Sequence, residues 1–114
     1  MPEIGTTPHD VIVVLTTAAD EEQANKIAHH LVEGRLVACV NIVARIGSIY
    51  RWKGKVIQEA ETLMIIKTRR EMFERVRTEI RKLHTYEMPE VIALAVGPGD
   101  PDALAWILES VSGQ

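Results

Sequence analysis

Glu59 and Glu61 alternate along a stretch with strand character. They therefore share one face, about 6.7 Å apart, and Lys67 has the same parity further along. Two carboxylates at that separation can hold a cation or divide acid and base roles. The plainer reading is a solvated strand face, or salt bridges to a neighbouring subunit. It stands ahead of catalysis because no nucleophile accompanies the pair. His84 stands where a helical period ends, in Lys82-Leu-His-Thr-Tyr-Glu-Met-Pro-Glu90. An imidazole there either caps the helix C-terminus, where positive charge is favoured, or offers a neutral ring nitrogen to a metal. One imidazole alone is not a metal site.

Other candidates carry less. His29 and His30 are helical neighbours about 100° apart and do not easily face one ion; like His9, they read as surface residues. Cys39 lies in Val37-Ala-Cys-Val-Asn41 and reads as a small packed hydrophobe with no base near it in sequence. Gly-x-Gly-x-x-Gly and Gly-x-x-x-x-Gly-Lys-Ser/Thr are both absent, and Gly97-Pro98-Gly99 reads as a turn. Lys67 to Lys82 holds seven Lys or Arg and three Glu, a net charge of +4. A solvated helix face accounts for it more simply than an anionic ligand.

These residues need a scaffold, and its elements are legible. Val11-Ile-Val-Val-Leu15 is continuous, apolar and β-branched, as in a central strand covered on both faces. Asp20 reads as an N-cap with Gln23 completing a capping box. Ala24, Ile27, Ala28 and Leu31 form a helical stripe that Gly34 ends at C′. Ile42, Ala44, Ile46, Tyr50 and Trp52 fall on one strand face at period two, and Gly54 supplies a hairpin turn. The return arm runs to about Thr68. Phe73, Val76, Ile80 and Leu83 make a second helix. Val91 to Val96 is a short strand, and Asp100 caps a last helix that Pro101 opens. The order β-α-β-β-α-β-α predicts an α+β fold of ferredoxin-like plan, with an extra C-terminal helix and helices on one face of the sheet. Each hairpin arm has about 14 residues, roughly 45 Å. So long a hairpin projects from the domain and calls for a partner subunit, with Tyr50 and Trp52 near its tip as anchors.

The 114 residues fit one domain, placed at 11–114 behind a loose extension over 1–10. Apolar residues make up 46% and charged residues 25%, ordinary for a globular chain. The net charge of −3 argues against a nucleic-acid partner. A single cysteine rules out an internal disulfide and suits a cytoplasmic setting. Apolar runs as short as Val11–Leu15 and Leu63–Ile66 do not span a membrane, and the first ten residues lack the apolar core of a signal peptide.

Taken together, several segments resemble the CutA family of divalent-cation tolerance proteins. They are Val14-Leu-Thr-Thr17 with the Asp20 helix, Leu36-Val-Ala-Cys-Val-Asn-Ile42, Ser48-Ile-Tyr-Arg-Trp-Lys-Gly-Lys55, Glu59 with Glu61, Ile66-Lys-Thr68, and His84-x-Tyr86-x-x-Pro89-Glu90. Trp106 in the last helix also fits, and is expected at an interface. The resemblance implies a ferredoxin-like homotrimer that binds Cu(2+) or another divalent ion; no organic cofactor and no catalysis are expected, since no nucleophile or cofactor motif accompanies these residues. It implies a cleft between subunits that gathers Cys39, Lys67, Tyr86 and Glu90, with His84, Glu59 and Glu61 as metal candidates. Some bacterial members carry a cysteine after the first strand and two adjacent histidines before the Tyr-x-x-Pro-Glu segment. This chain has Thr16 and Leu83 at those places, so two of three soft ligands are missing. A PII-like adaptor trimer, binding a small anion near Lys67, is the alternative. An enzyme using Glu59, Glu61 or Tyr86 as acid or base ranks last.

Overall fold

The computed structural model describes residues 10–111. The element order is β1 (Val11–Ala18), α1 (Glu21–Glu33), β2 (Cys39–Trp52), β3 (Lys55–Arg69), a 3-10 turn (Arg70–Met72), α2 (Phe73–Leu83), β4 (Val91–Ala95) and α3 (Pro101–Ser110). The strands form one sheet in the order β2-β3-β1-β4, and every neighbouring pair is antiparallel. The β1-α1-β2 and β3-α2-β4 connections each step over one strand, which is the ferredoxin-like arrangement. The extension expected over residues 1–10, His9 included, lies outside the described residues except for Asp10.

The core forms where the two periodicities meet. In β1, Ile12, Val14, Thr16 and Ala18 point to one face and are buried; their partners on β3 are Thr68, Ile66, Met64 and Thr62, also buried. The α1 stripe of Ala24, Ile27, Ala28 and Leu31, and Val76 and Ile80 of α2, close that face. Each large side chain fully buried there contributes about 1.5–3 kcal/mol. The opposite face is apolar but open. Val13, Leu15, Leu63 and Ile65 are half-buried, and Val43, Ile92 and Leu94 are exposed. The unbroken apolar run of β1 therefore reflects two apolar faces, of which the described residues cover one.

Three local details position the rest. Asp20 caps α1 by accepting from the Gln23 N–H at 2.8 Å, while Gln23 Oε1 accepts from the Ala19 N–H at 3.3 Å. At the other end of α1, the left-handed residue is Arg35 (φ 59°) and not Gly34, which stays right-handed at φ −78°. The helix runs two residues beyond Leu31, the last of its apolar stripe, and glycine suits position 34 because a Cβ there would stand 3.1 Å from the His30 carbonyl oxygen. The hairpin turn puts Lys53 (φ 49°) and Gly54 (φ 81°) both in the left-handed region, as a type I′ turn requires.

The long hairpin is regular only in part. Pairing of β2 with β3 slips by one residue between Val43 and Ile46, with Arg45 at φ 61°. A one-residue slip turns the following side chains to the other face. Ile42, opposite Met64, faces the helices, whereas Ile46, Ser48, Tyr50 and Trp52 stand opposite Glu61, Glu59, Ile57 and Lys55 on the open face. The single-face alignment of Ile42, Ala44, Ile46, Tyr50 and Trp52 expected from period two is thus overturned by the bulge. β1 ends its pairing with β3 at Thr62, so the seven pairs from Ile46↔Glu61 to Trp52↔Lys55 form a two-stranded ribbon beyond the sheet. The molecule is accordingly elongated, 52 × 26 × 22 Å.

Candidate functional site

The ribbon meets the segment after α2 at a polar cluster. Glu61, the last ribbon residue of β3, is 7% exposed. The Tyr86 hydroxyl donates to its Oε2 at 2.6 Å, and the side chains of Ser48 and Thr17 also hydrogen-bond to it. Burial alone would push this carboxyl up. The hydroxyl donors of Ser48, Tyr86 and Thr17, aided by the nearby His84, outweigh burial and hold it below its ordinary value. On the same face, the Tyr50 hydroxyl donates to Glu59 Oε1. That hydrogen bond, with smaller contributions from burial and the charges of Glu59 and Glu61, pushes the Tyr50 hydroxyl up to about 12. Burial first, and the hydrogen bond to Glu61 second, push Tyr86 up as well.

His84 is the C-cap of α2; its backbone N–H donates to the Ile80 carbonyl at 2.9 Å. Its ring fixes the next turn. The Tyr86 N–H donates to Nδ1 at 3.1 Å, so that nitrogen carries a lone pair. Nε2 lies 2.7 Å from the Thr17 carbonyl oxygen, which only accepts, so Nε2 carries the hydrogen. The His84 and Tyr86 rings lie 4.5 Å apart, and Thr85 Oγ1 accepts from Gln23 Nε2 at 2.9 Å. The turn after α2 is thereby tied to β1, to the start of α1 and to the ribbon base.

Between ribbon and turn lies a groove of about 780 Å³, lined by Thr17, Ile46 to Lys53, Glu61, Tyr86 to Met88 and Glu90. Of the residues singled out in the sequence, Glu61, Tyr86, Tyr50, Trp52 and Glu90 line the groove; Glu59 is joined to it through Tyr50 and His84 through Tyr86, and neither lines it. Cys39 and Lys67 do not join them. They pair across β2 and β3 six residues from Glu61, about 20 Å along the strand. Cys39 Sγ lies 3.8 Å from Asn41 Oδ1. Trp106 lies on α3, half exposed, and is not among the groove residues. Thr17 and Ser48 hold Glu61 but were not singled out, because nothing local marks a hydroxyl whose acceptor is distant in sequence.

Among the described residues no group of three or more His, Cys, Asp or Glu is placed to hold a metal ion. Both ring nitrogens of His84 are engaged, Glu61 already accepts from three hydroxyls, and Thr16 is buried. The described residues of one chain by themselves do not fit a metal centre.

An antiparallel four-stranded sheet with two crossover helices, a projecting β2–β3 ribbon and a polar groove at its base defines a ferredoxin-like protein of the extended-hairpin type. Residues 12–110 match the family described as CutA1 divalent ion tolerance protein. The divalent-cation tolerance protein CutA of Thermus thermophilus is 44% identical over 98 residues, 86% of this chain and 95% of that protein. The human protein CutA is 42% identical over 111 residues, of whose length the chain spans 62%. Among solved structures, that of rice CutA1 superposes with a TM-score of 0.88 at 38% identity, covering 91% of this chain and 95% of the other. The Thermus thermophilus structure gives 0.87 at 42% identity, covering 90% and 99%. The chain belongs to the CutA1 divalent ion tolerance family.

Proposed function

We propose that this chain serves divalent-cation tolerance as a homotrimer, without catalysing a reaction. The observation that carries the trimer is the pair of uncovered surfaces: a seven-pair ribbon outside the sheet, and the open apolar face with Val43, Ile92 and Leu94 exposed. An isolated ribbon is marginal in water, and a contiguous apolar sheet face marks an interface. Trimerisation would cover both, with Tyr50, Trp52 and Trp106 as the aromatic anchors. Copper or another divalent ion would then be met only where subunits complete a site, with Glu59, Glu61 and His84 as this chain's nearest donors. His84 would join only by giving up one of its two ring hydrogen bonds. A cytoplasmic setting accords with the lone Cys39, although the Archaeoglobus fulgidus CutA is described as periplasmic.

Light scattering is expected to give the mass of three chains, and one chain's mass would reject the proposal. A copper(II) titration of metal-stripped protein against a chelator, repeated in His84→Ala, tests the metal. Binding lost in the variant supports His84 as a ligand; binding unchanged removes it.

A second reading places a small anion between subunits, as in a PII-like adaptor. It rests on Lys67, half-buried beside Val13 and Cys39 on the open face, with no ion pair to its side chain among the described residues. Tyr86 and Glu90 of a neighbouring chain would have to complete that cleft. Thermal stabilisation by an organic anion, lost in Lys67→Ala, distinguishes it.

A further inference from the structure

Seven residue pairs carry the ribbon beyond the end of β1, so no third strand of the described residues sets its direction. At its root β2 slips register between Val43 and Ile46, with Arg45 left-handed, which leaves a bend there in place of a regular ladder. The ribbon's direction then depends on side chains. Residues 85–90 meet it at two points. At the root, the Tyr86 hydroxyl donates to the buried Glu61 at 2.6 Å; at the tip, Lys53 Nζ and Glu87 Oε2 form a loose ion pair at 3.8 Å. Between these points the two segments stand apart across the groove. Residues 85–90 are themselves pinned to the body of the chain. His84 Nε2 donates to the Thr17 carbonyl at 2.7 Å, and the Tyr86 N–H donates to His84 Nδ1 at 3.1 Å. Pro89 is buried, and its ring fixes φ. Gln23 Nε2 donates to Thr85 Oγ1 at 2.9 Å, and Gln23 Oε1 accepts from the Ala19 N–H at 3.3 Å. A path of hydrogen bonds thus runs from the start of α1, on the covered side of the sheet, through Thr85 and Tyr86 to the root of the ribbon.

We propose that residues 85–90 are a strap that aims the ribbon before subunits meet, with Gln23 as its far anchor. This rests on the homotrimer reading, in which neighbouring chains hold the ribbon. A ribbon already fixed in its docking direction has less orientational freedom to lose on association, and the cost of assembly falls accordingly. The strap acts from within its own chain, whatever a neighbour later covers. Gln23 and Thr85 are therefore positioning residues. Their hydrogen bond, at the end of the helix layer, governs an interface built from the ribbon and the opposite face of the sheet.

The test is the assembly rate of the full-length chain after dilution from urea, at several chain concentrations. Light scattering follows mass, and circular dichroism follows folding. Thr85→Val removes the acceptor and keeps the shape. It is expected to slow the concentration-dependent phase by about five-fold, the weight of one neutral hydrogen bond, and to leave the concentration-independent phase unchanged. Thr85→Ser keeps the hydroxyl and is expected to assemble at the wild-type rate. Asn25→Ala deletes a hydrogen bond to the Glu21 carbonyl on the same helix and is expected to leave the rate unchanged. If Thr85→Val folds poorly by circular dichroism, Gln23→Leu breaks the same bond from the α1 side and is expected to show the same slowing. Wild-type assembly in the variant that lacks the bond, or equal slowing in Asn25→Ala, would overturn the strap and leave the homotrimer standing. A wild type that keeps the mass of one chain would overturn the homotrimer reading and the strap with it.

Discussion

Removing one oxygen from Tyr86 tests the cluster that joins ribbon and turn. Tyr86→Phe keeps the ring, its contact with His84 and the backbone hydrogen bond to Nδ1, and deletes only the donor 2.6 Å from Glu61. A hydrogen bond to a charged group contributes about 1.5–3 kcal/mol. Ser48 and Thr17 still donate to Glu61 in the variant, which places the expected loss near the lower end, about 1.5 kcal/mol. With a urea slope near 1.5 kcal/mol per molar, the unfolding midpoint should fall by about 1 M at fixed chain concentration. The pH dependence sharpens the test. Glu61 is held below its ordinary value in the folded chain, so its contribution is present above the unfolded value of about 4.5 and is lost as pH falls through the lower folded value. The gap between wild type and Tyr86→Phe should therefore be widest near neutrality and narrow below about pH 4.5. Equal midpoints at pH 7, or a gap that stays constant down to pH 3, would refute the assignment of Tyr86 as a donor to a buried charged Glu61.

Two further outcomes follow from the same geometry. Both tyrosines of the chain donate to carboxylates, so alkaline titration at 295 nm should show no tyrosinate step near pH 10. Tyr50 should ionise only near 12. Because its folded value is raised, the stability it adds is present below pH 10 and lost as pH rises towards 12; an ordinary step at pH 10 would show these hydroxyls free in solution. Arg45 holds a left-handed conformation that costs a non-glycine residue about 1 kcal/mol, so Arg45→Gly should raise the urea midpoint rather than lower it. A fall would mean that the arginine side chain stabilises the bulge by more than its backbone costs.

Element boundaries were legible because each rests on local chemistry: the β-branched run of β1, the Asp20 and Asp100 caps, the Gly54 turn and the helical stripes. Two features were not. The bulge at Ala44 and Arg45 leaves no trace in the pattern, because Ile42, Ala44 and Ile46 continue an apolar alternation straight through it. The cleft residues are marked in the sequence by their place in motifs, and motifs carry no distances. Lys67 shares a face with Glu59 and Glu61 by parity, as expected, and Cys39 pairs with it, yet both lie at the other end of the strand. The sequence leaves His84 open as cap or ligand; in the structure it caps α2 through its backbone, and its ring is engaged on both sides.

The bulge links these levels. Had β2 kept the register of Ile42↔Met64, then Arg45, Gly47 and Ile49 would stand opposite Glu61, Glu59 and Ile57. The one-residue slip puts Ile46, Ser48 and Tyr50 there instead. Two hydroxyls thereby come to the face that carries the carboxylates, and Ile49 turns with Val56 to the ribbon's other side, where both are largely exposed. One face of the ribbon thus carries the hydrogen-bonded hydroxyls and carboxylates, while the other carries Ile49 and Val56, which none of the described residues covers. A ribbon of this composition is stable only if its apolar side is buried elsewhere. The extra residue in β2 both brings the hydroxyls to Glu61 and creates the surface by which neighbouring subunits would hold the ribbon, so the Glu61 cluster and assembly should respond together to changes at the bulge.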